Sequence, residues 1–408
     1  MAILFGDTSS SLSEKQHGGN QTLIGADPTN TIFGDAGLNL LDRATGGDDT
    51  LLISGSGDLY GDAGANISAH AVGGNDTLSM NQSGFSIVNL SMYGDAGGKL
   101  LDHAVGGNDT FTSRNIGGNC FFYGDAGSSM SGRVSGGNDS FSINGSQTNY
   151  TIYGDAGTNM SGHATGGNET VTDTGGVQCD VRFSGDVGGN MSGHAHGGND
   201  TFQANAAERH NIFYGDAGGN MGDRAVGGDD TFIGGTGSGI ADNLAYGDAL
   251  TMSDNAQGGN DTLTGGSFQF ALPAGTYNNV LVGDAQTMFG KACGGDDKLI
   301  SGTGNDDMWG DAQVMLGKAH GGNDAFVFNF NNGHDKIEDF GQGIQCKAGS
   351  NWGTDHIDVT ALGIHQFNQL SISAFDPTTH ESTITFSSGN EVVVHSQMAL
   401  TQHDFLFA

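Results

Sequence analysis

Tyr153-Gly154-Asp155-Ala156-Gly157-Thr158-Asn159-Met160-Ser161-Gly162-His163-Ala164-Thr165-Gly166-Gly167-Asn168-Glu169-Thr170 is the fullest copy of a unit that recurs eleven times. Its Gly-Asp step falls at Asp7, Asp35, Asp62, Asp95, Asp125, Asp155, Asp186, Asp216, Asp248, Asp284 and Asp311, a period of 27 to 36 residues. A period in that range marks a solenoid, each copy forming one turn stacked on the next. Single residues thereby become columns.

From the Gly-Asp aspartate to the residue that closes the Gly-Gly turn is 14 positions in the first eight copies and 13 in the last three. The return arm varies in length, so one half of each turn is held in register while the other tolerates loops. Apolar columns run through Leu51, Leu78, Phe111, Phe141, Val171 and Phe202, and through Ile32, Leu59, Met92, Phe122, Ile152 and Phe183. A third passes through Leu100, Met130, Met160, Met191, Met221, Met252, Met288 and Met315, and a fourth holds the small residues Ala44, Ala71, Ala104, Ala164 and Ala195. Alternation about these positions predicts two or three short parallel strands per turn around a thin core, with the methionines as filling. The predicted fold is therefore all-β, a parallel β-roll or β-solenoid of about eleven turns with a β-rich C-terminal cap.

Gly is 74 of 408 residues but Pro only 3, which excludes collagen-like and proline-rich disordered classes. The formal net charge of −33 repels nucleic acid and anionic lipid and favours divalent cations. No run of 18 apolar residues predicts a membrane span. Met1-Ala2-Ile3-Leu4-Phe5 lacks the basic and apolar regions of a cleaved leader. The four cysteines, Cys120, Cys179, Cys293 and Cys346, sit at unrelated repeat positions, which reads as small buried or free thiols with pairing undetermined.

Coiling brings acids face to face. One file holds Asp35, Asp62, Asp95, Asp125, Asp155, Asp186, Asp216, Asp248, Asp284 and Asp311; the other holds Asp49, Asp76, Asp109, Asp139, Asp200, Asp230, Asp261, Asp297 and Asp324. At a strand spacing of about 4.8 Å and an effective dielectric near 20, neighbouring carboxylates repel by roughly 3 kcal/mol. Repeated along a file, that rivals the roughly 5–15 kcal/mol that stabilises a whole domain. A cation between turns reverses the sign. Ca²⁺ suits carboxylates and glycine-turn carbonyls, Mg²⁺ demands a tighter octahedron, and zinc needs His or Cys clusters. Multiple calcium ions are thus the expected cofactor, with Asp306 of a related turn as a further ligand, and binding and folding are expected to be one transition. The alternative is that isolated acids, Glu169 among them, only cap turns through side-chain hydrogen bonds.

The Gly-Gly-Asn-Asp-Thr elements resemble the repeats-in-toxin (RTX) family, whose nonapeptide is G-G-x-G-x-D-x-U-x. Ser301-Gly302-Thr303-Gly304-Asn305-Asp306-Asp307-Met308-Trp309 matches most fully, with Ser at the first position. Gly154 to Asn159 is similar but carries Asp for the second Gly and Asn for the sixth-position Asp, which shifts the expected ligand to the Gly-Asp carboxylate. A second stretch, Asn332 to Phe340 and Asp355 to Ile364 with the ending Asp404-Phe405-Leu406-Phe407-Ala408, resembles the family's C-terminal cap and secretion region, with an insertion carrying Cys346 and Trp352. The resemblance implies a calcium-binding solenoid over 1–325, a cap and secretion region over 326–408, export by type I secretion machinery, and a secreted, extracellular or cell-surface location.

Eight residues after most Gly-Asp aspartates stands a basic-type residue: Lys15, Arg43, His70, His103, Arg133, His163, His194 and Arg224, continued by Lys291 and Lys318. The plainer reading is a countercharge ladder with Asp42, Asp102 and Asp223 as local partners. The functional reading is a stripe that grips a polyanionic glycan or lipopolysaccharide, its histidines making that binding pH-dependent. No H-E-x-x-H, G-x-S-x-G or P-loop occurs, so metalloprotease, lipase and nucleotide-hydrolase chemistry are not indicated. A threonine file (Thr50, Thr77, Thr110, Thr170, Thr201) reads as strand chemistry rather than an ice-binding ladder. The expectation is a non-enzymatic secreted protein with a structural, matrix or adhesive role and possible self-assembly. The alternative is a β-helical lyase or epimerase acting on an acidic polysaccharide, using the Asp180–Arg182 or the Glu208–Arg209–His210 arm.

Overall fold

The computed structural model describes residues 1–175, 179–205, 210–237, 242–268, 279–341, 355–387 and 389–408, with backbone alone at 81–85. The fold is all-β, a parallel β-solenoid of about eleven turns, and the described residues include no α-helix. Contacts divide the chain into two compact units, Met1–Gln203 with Asp216–Asn220, and Ala204–Gly215 with Met221–Ala408.

In the first unit the strand after each Gly-Gly turn pairs in register with its counterpart on the next turn. Ser140 stands between Thr110 and Thr170, and Phe141 between Phe111 and Val171. The strand Thr170–Asp173 shows why: Thr170 is exposed and Val171 buried, the period-two alternation of a half-buried strand. The strand before each Gly-Asp does the same, carrying Ile32, Leu59, Met92, Phe122, Ile152 and Phe183 into one file. Short strands at Leu100–Asp102, Ser129–Gly132 and Asn159–Gly162 close each turn. Met130, Met160 and Met191 are fully buried there, so the methionine column is core. Each such side chain contributes about 1.5–3 kcal/mol on burial. Outside the core, Phe5, Phe33, Tyr60, Tyr93 and Tyr123 stack with centroids 5.1, 4.8, 4.7 and 4.7 Å apart.

The second unit repeats the pattern, aligning Phe232, Leu263, Leu299, Phe326 and Ile357 across five turns. Past Asp306–Trp309 the stack continues through His334–Phe340 to Asn390–Ser396, which then pairs antiparallel with Glu381–Ser387. The hairpin covers an edge that would otherwise present unpaired backbone groups. Phe405–Leu406 adds a parallel strand to Ile357–Asp358.

Cys120 and Cys179 are buried thiols. Cys293 is disulfide-bonded, which corrects the reading of four separate thiols. Cys346 and Trp352 of the predicted insertion lie outside the described residues, as do Glu208 and Arg209. Among the described residues no helix is long and apolar enough to cross a membrane.

Candidate metal centre

Both predicted carboxylate files exist, and both lie inside the protein. Asp35, Asp62, Asp95, Asp125, Asp155, Asp186 and Asp216 are fully buried in the first unit, beside Asp49, Asp76, Asp109, Asp139, Glu169 and Asp200 at no more than 2% exposure. The second unit buries Asp248, Asp284 and Asp311 alongside Asp230, Asp261, Asp297 and Asp324. Local sequence explains the placement. The Gly-Asp carboxylate folds back across its own turn to accept the N–H of the second glycine of Gly-Gly, as Asp35 does from Gly47 at 2.7 Å, Asp62 from Gly74 at 2.9 Å and Asp284 from Gly295 at 2.8 Å. The second file is bonded between turns: Asp76 accepts from the Asp49 N–H and Asp109 from the Asp76 N–H, each at 2.6 Å. Asp139 accepts from Asp109 at 2.7 Å, Asp261 from Asp230 at 2.7 Å and Asp297 from Asp261 at 2.7 Å.

In most second-file aspartates those bonds use one oxygen and leave the other unmatched. Buried Oδ2 atoms of Asp49, Asp76, Asp109, Asp139, Asp261, Asp297 and Asp324 have no hydrogen-bond partner, nor do Asp62 Oδ1, Asp186 Oδ2, Asp284 Oδ2 and both Glu169 oxygens. A buried carboxylate oxygen with no partner is costly, and here the cost recurs on turn after turn. Carboxylate oxygens of both files converge on the glycine faces. A Cβ added to Gly34 would lie 1.9 Å from the Gly61 carbonyl oxygen and 2.1 Å from Asp49 Oδ2. One added to Gly106 would lie 1.6 Å from Asp125 Oδ1 and 2.7 Å from Asp95 Oδ2. Glycine at these positions keeps carboxylate and carbonyl oxygens of adjacent turns within reach of one another.

Burial is the first cause of the resulting proton affinities. It raises Asp49 to about 7 and Asp62 to about 8, with the Asp76 charge adding to Asp62. Burial, then the charges of Asp139 on Asp109 and of Asp200 on Glu169, hold Asp109 and Glu169 well above the carboxylate range. The same causes hold Asp261 and Asp284 there in the second unit. Without an external positive charge these files must take up protons near neutral pH. Every donor in them is a hard oxygen, a set that fits calcium and offers neither thiolate nor imidazole to zinc.

Three differences from the sequence reading stand out. Glu169, read as a turn cap, sits with Asp155 and Asp186 in a buried triad whose ligand oxygens lie within 4.8 Å of one another. Its longer side chain reaches the same place as the aspartates of its file, so a pattern restricted to Asp missed it. The second-unit files also extend beyond Asp311 and Asp324: Asp339 accepts from the Gly310 N–H at 2.8 Å, and Asp355 from the Asp324 N–H at 3.1 Å. Both keep the repeat period, 28 residues after Asp311 and 31 after Asp324, but Asp339 follows Glu338 in place of glycine and Asp355 lacks the Gly-Gly step, so the residue pattern passed over them. Asp306 stands apart from both files. It takes the Gly302 N–H at 2.9 Å, lies beside Asn279, and donates its own N–H to Asp335 at 3.0 Å, in a buried polar row continued by Asn243.

The first turn ends the file without an acid. Gln21 occupies the second-file position and donates its side-chain amide to Asp7 Oδ1 at 3.0 Å, while Gly19 donates to Asp7 Oδ2 at 2.7 Å. An amide thus satisfies the one Gly-Asp carboxylate that opens to solvent.

The basic file is exposed throughout. Among the described residues none of Lys15, Arg43, His70, His103, Arg133, His163, His194, Arg224, Lys291 and Lys318 forms an ion pair, which corrects the countercharge reading. Asp42 shows the reason: its Oδ2 accepts the Glu14 backbone N–H at 3.1 Å, one turn away, instead of turning to Arg43. Asp180 and Arg182 lie on a regular strand in register with Asn149 and Thr151.

Comparison with known proteins finds no matching family model, no matching curated protein and no matching solved structure.

Proposed function

We propose that this chain is a calcium-stapled β-solenoid with a non-catalytic role, a structural or adhesive protein whose folding is driven by divalent ions seated between turns. The observation that carries the reading is the pair of buried carboxylate files, in which Asp49, Asp76, Asp109, Asp139, Asp261, Asp297 and Asp324 each keep one oxygen bonded to backbone and the other without a hydrogen-bond partner. Asp35, Asp62, Asp95, Asp125, Asp155, Asp186 and Asp216 would supply one side of the sites in the first unit. Asp49, Asp76, Asp109, Asp139, Glu169 and Asp200 would supply the other, with glycine carbonyls completing the oxygen set. When bound, calcium supplies the positive charge that this interior lacks. The chain's own part is to hold the oxygens in register and exclude water.

Because each site needs two adjacent turns, ion binding and folding form one equilibrium. At the low calcium of a cytosol the files repel and the chain stays unfolded; at the millimolar calcium outside a cell it coils. That logic suits an exported protein, and the RTX resemblance of the repeats and of the C-terminal stretch supports passage through a type I secretion system. Calcium titration with far-UV circular dichroism and light scattering recorded together tests the reading. A cooperative gain of β signal at submillimolar to millimolar calcium is expected, and a β spectrum indifferent to chelator would overturn it.

A further inference from the structure

We infer that one face of the first unit is a pH-gated docking surface for a linear acidic polysaccharide of the polyuronate type. The chain's acidity conceals this face. Between the two buried acid files, the arcs 63–75, 96–108, 126–138, 156–168 and 187–199 carry a single acid, Asp102. Against it stand Lys99, Arg133, His70, His103, His163, His194 and His196. The remaining exposed positions of these arcs are Asn, Thr and Gly with Val72 and Val105, which offer hydrogen bonds and room but no repulsion.

The stripe is rigidly presented. The residue before each member turns the corner in the left-handed region: Ala69 at φ 65°, Asp102 at 67°, and glycine at 132, 162 and 193. Ala and Asp pay strain there that glycine does not, yet the corner is kept on every turn. The backbone N–H of each member then bonds the corner carbonyl one turn back: His103 to Ala69 at 2.9 Å, Arg133 to Asp102 at 2.6 Å, His163 to Gly132 at 2.7 Å and His194 to Gly162 at 2.7 Å. Side chains therefore leave the surface at the turn pitch, and the His70–His103 and His163–His194 rings stand 4.9 and 5.0 Å apart. None of the stripe residues is engaged in an ion pair, so their charge is available to a partner.

Charge spacing selects the partner. A row of single cations about 5 Å apart matches a chain that carries one carboxylate per sugar. Duplex nucleic acid, with a charge every ~1.7 Å of axis, is mismatched. With its imidazoles neutral the face carries two cations and one acid, and with them protonated seven cations and the same acid, so its charge follows pH. The groups facing each histidine within this unit are mostly cationic: Arg43, Asp42 and His103 beside His70; His70, Asp102 and Arg133 beside His103; Arg133 and His194 beside His163; His163 and His196 beside His194. Stacked imidazolium rings repel one another, so an anion that bridges them stabilises the charged form and is itself held more tightly. Binding is strong in mild acid and weak in mild alkali.

The test uses the full chain folded in calcium, with oligogalacturonates too short to gel as probe and isothermal titration at pH 5.5 and pH 8. Affinity at pH 5.5 is expected to exceed that at pH 8 by about tenfold or more. The triple variant Arg133→Gln, His163→Gln, His194→Gln should lose most of it. Circular dichroism and the calcium midpoint, read on the same samples, should stay unchanged for that variant because the three side chains are exposed. This separates failure of the docking surface from failure of calcium-driven folding. Absence of binding by the folded chain at pH 5.5, equal binding at both pH values, or parental affinity in the triple variant would overturn the inference. Duplex DNA binding as tightly as the oligogalacturonate would overturn the assignment of a glycan.

Discussion

Replacing Asp49 by Asn should stabilise the metal-free protein and destabilise the calcium-loaded one. Asp49 is 2% exposed; its Oδ1 accepts the Gln21 N–H at 2.6 Å and its Oδ2 has no partner. Burial, opposed by the Gln21 bond and helped by the charges of Asp7 and Asp48, raises its pKa from 3.8 to about 7. Between those values the native metal-free state holds a proton that the unfolded state releases, so stability falls as pH rises through the window and the whole cost is present above about 7. At about 1.36 kcal/mol per pH unit, the cost is roughly 2 kcal/mol at pH 5.5 and roughly 4 kcal/mol at pH 7.5. Asn keeps the acceptor for Gln21 and adds a neutral amide on the orphaned side, the solution this chain already uses where Gln21 donates to Asp7. Urea unfolding in chelator at pH 5.5, where protons keep the metal-free chain folded, should therefore show the variant more stable by about 2 kcal/mol, and the pH at which the chelated chain unfolds should rise. In saturating calcium the order should invert, and the calcium midpoint should rise because a charged ligand is gone. A variant weakened equally in both buffers would mean that Asp49 is only a turn cap, and the reasoning would fail.

Acid should substitute for calcium: chelated protein unfolded at pH 7.5 is expected to regain β signal on acidification toward pH 5, as Asp49, Asp62 and their neighbours take up protons; a chelated chain that folds better as pH rises would contradict this. Glu169→Asp should preserve calcium-driven folding, whereas Glu169→Gln should raise the calcium midpoint, because Glu169 lies in the triad with Asp155 and Asp186. Gly137→Ala should cost more than roughly 3 kcal/mol even in calcium, since the added Cβ would lie 1.4 Å from the Gly107 carbonyl oxygen; a thermal melt within two degrees of the parent would count against the packing described. Met160→Ala should cost about 2–5 kcal/mol as a core truncation, measured by the same melt.

The stacked columns were legible in the sequence because coiling at a fixed repeat converts spacing directly into contact. Phe111, Phe141 and Val171 share one register position and one buried row, as the repeat implied. What spacing could not reveal was how each carboxylate divides its oxygens. The bond from Asp49 N–H to Asp76 depends on backbone orientation between turns, and so does the orphaned oxygen it leaves behind. Glu169 was missed because a pattern of residue types ignores side-chain reach, and Asp339 and Asp355 because Glu338 and Thr354 stand where the repeat has its glycine or asparagine. Adjacency misled at the basic file. Asp42 and Arg43 are neighbours in sequence, but the left-handed corner at Asp42, φ 62°, sends their side chains apart.

The most direct measurement is equilibrium dialysis against calcium at neutral pH, with bound metal counted and β content recorded on the same samples. The account predicts several ions per chain, bound in step with the β signal and released with its loss in chelator at neutral pH. A fully folded chain in chelator at neutral pH, with no divalent ion bound, would contradict it.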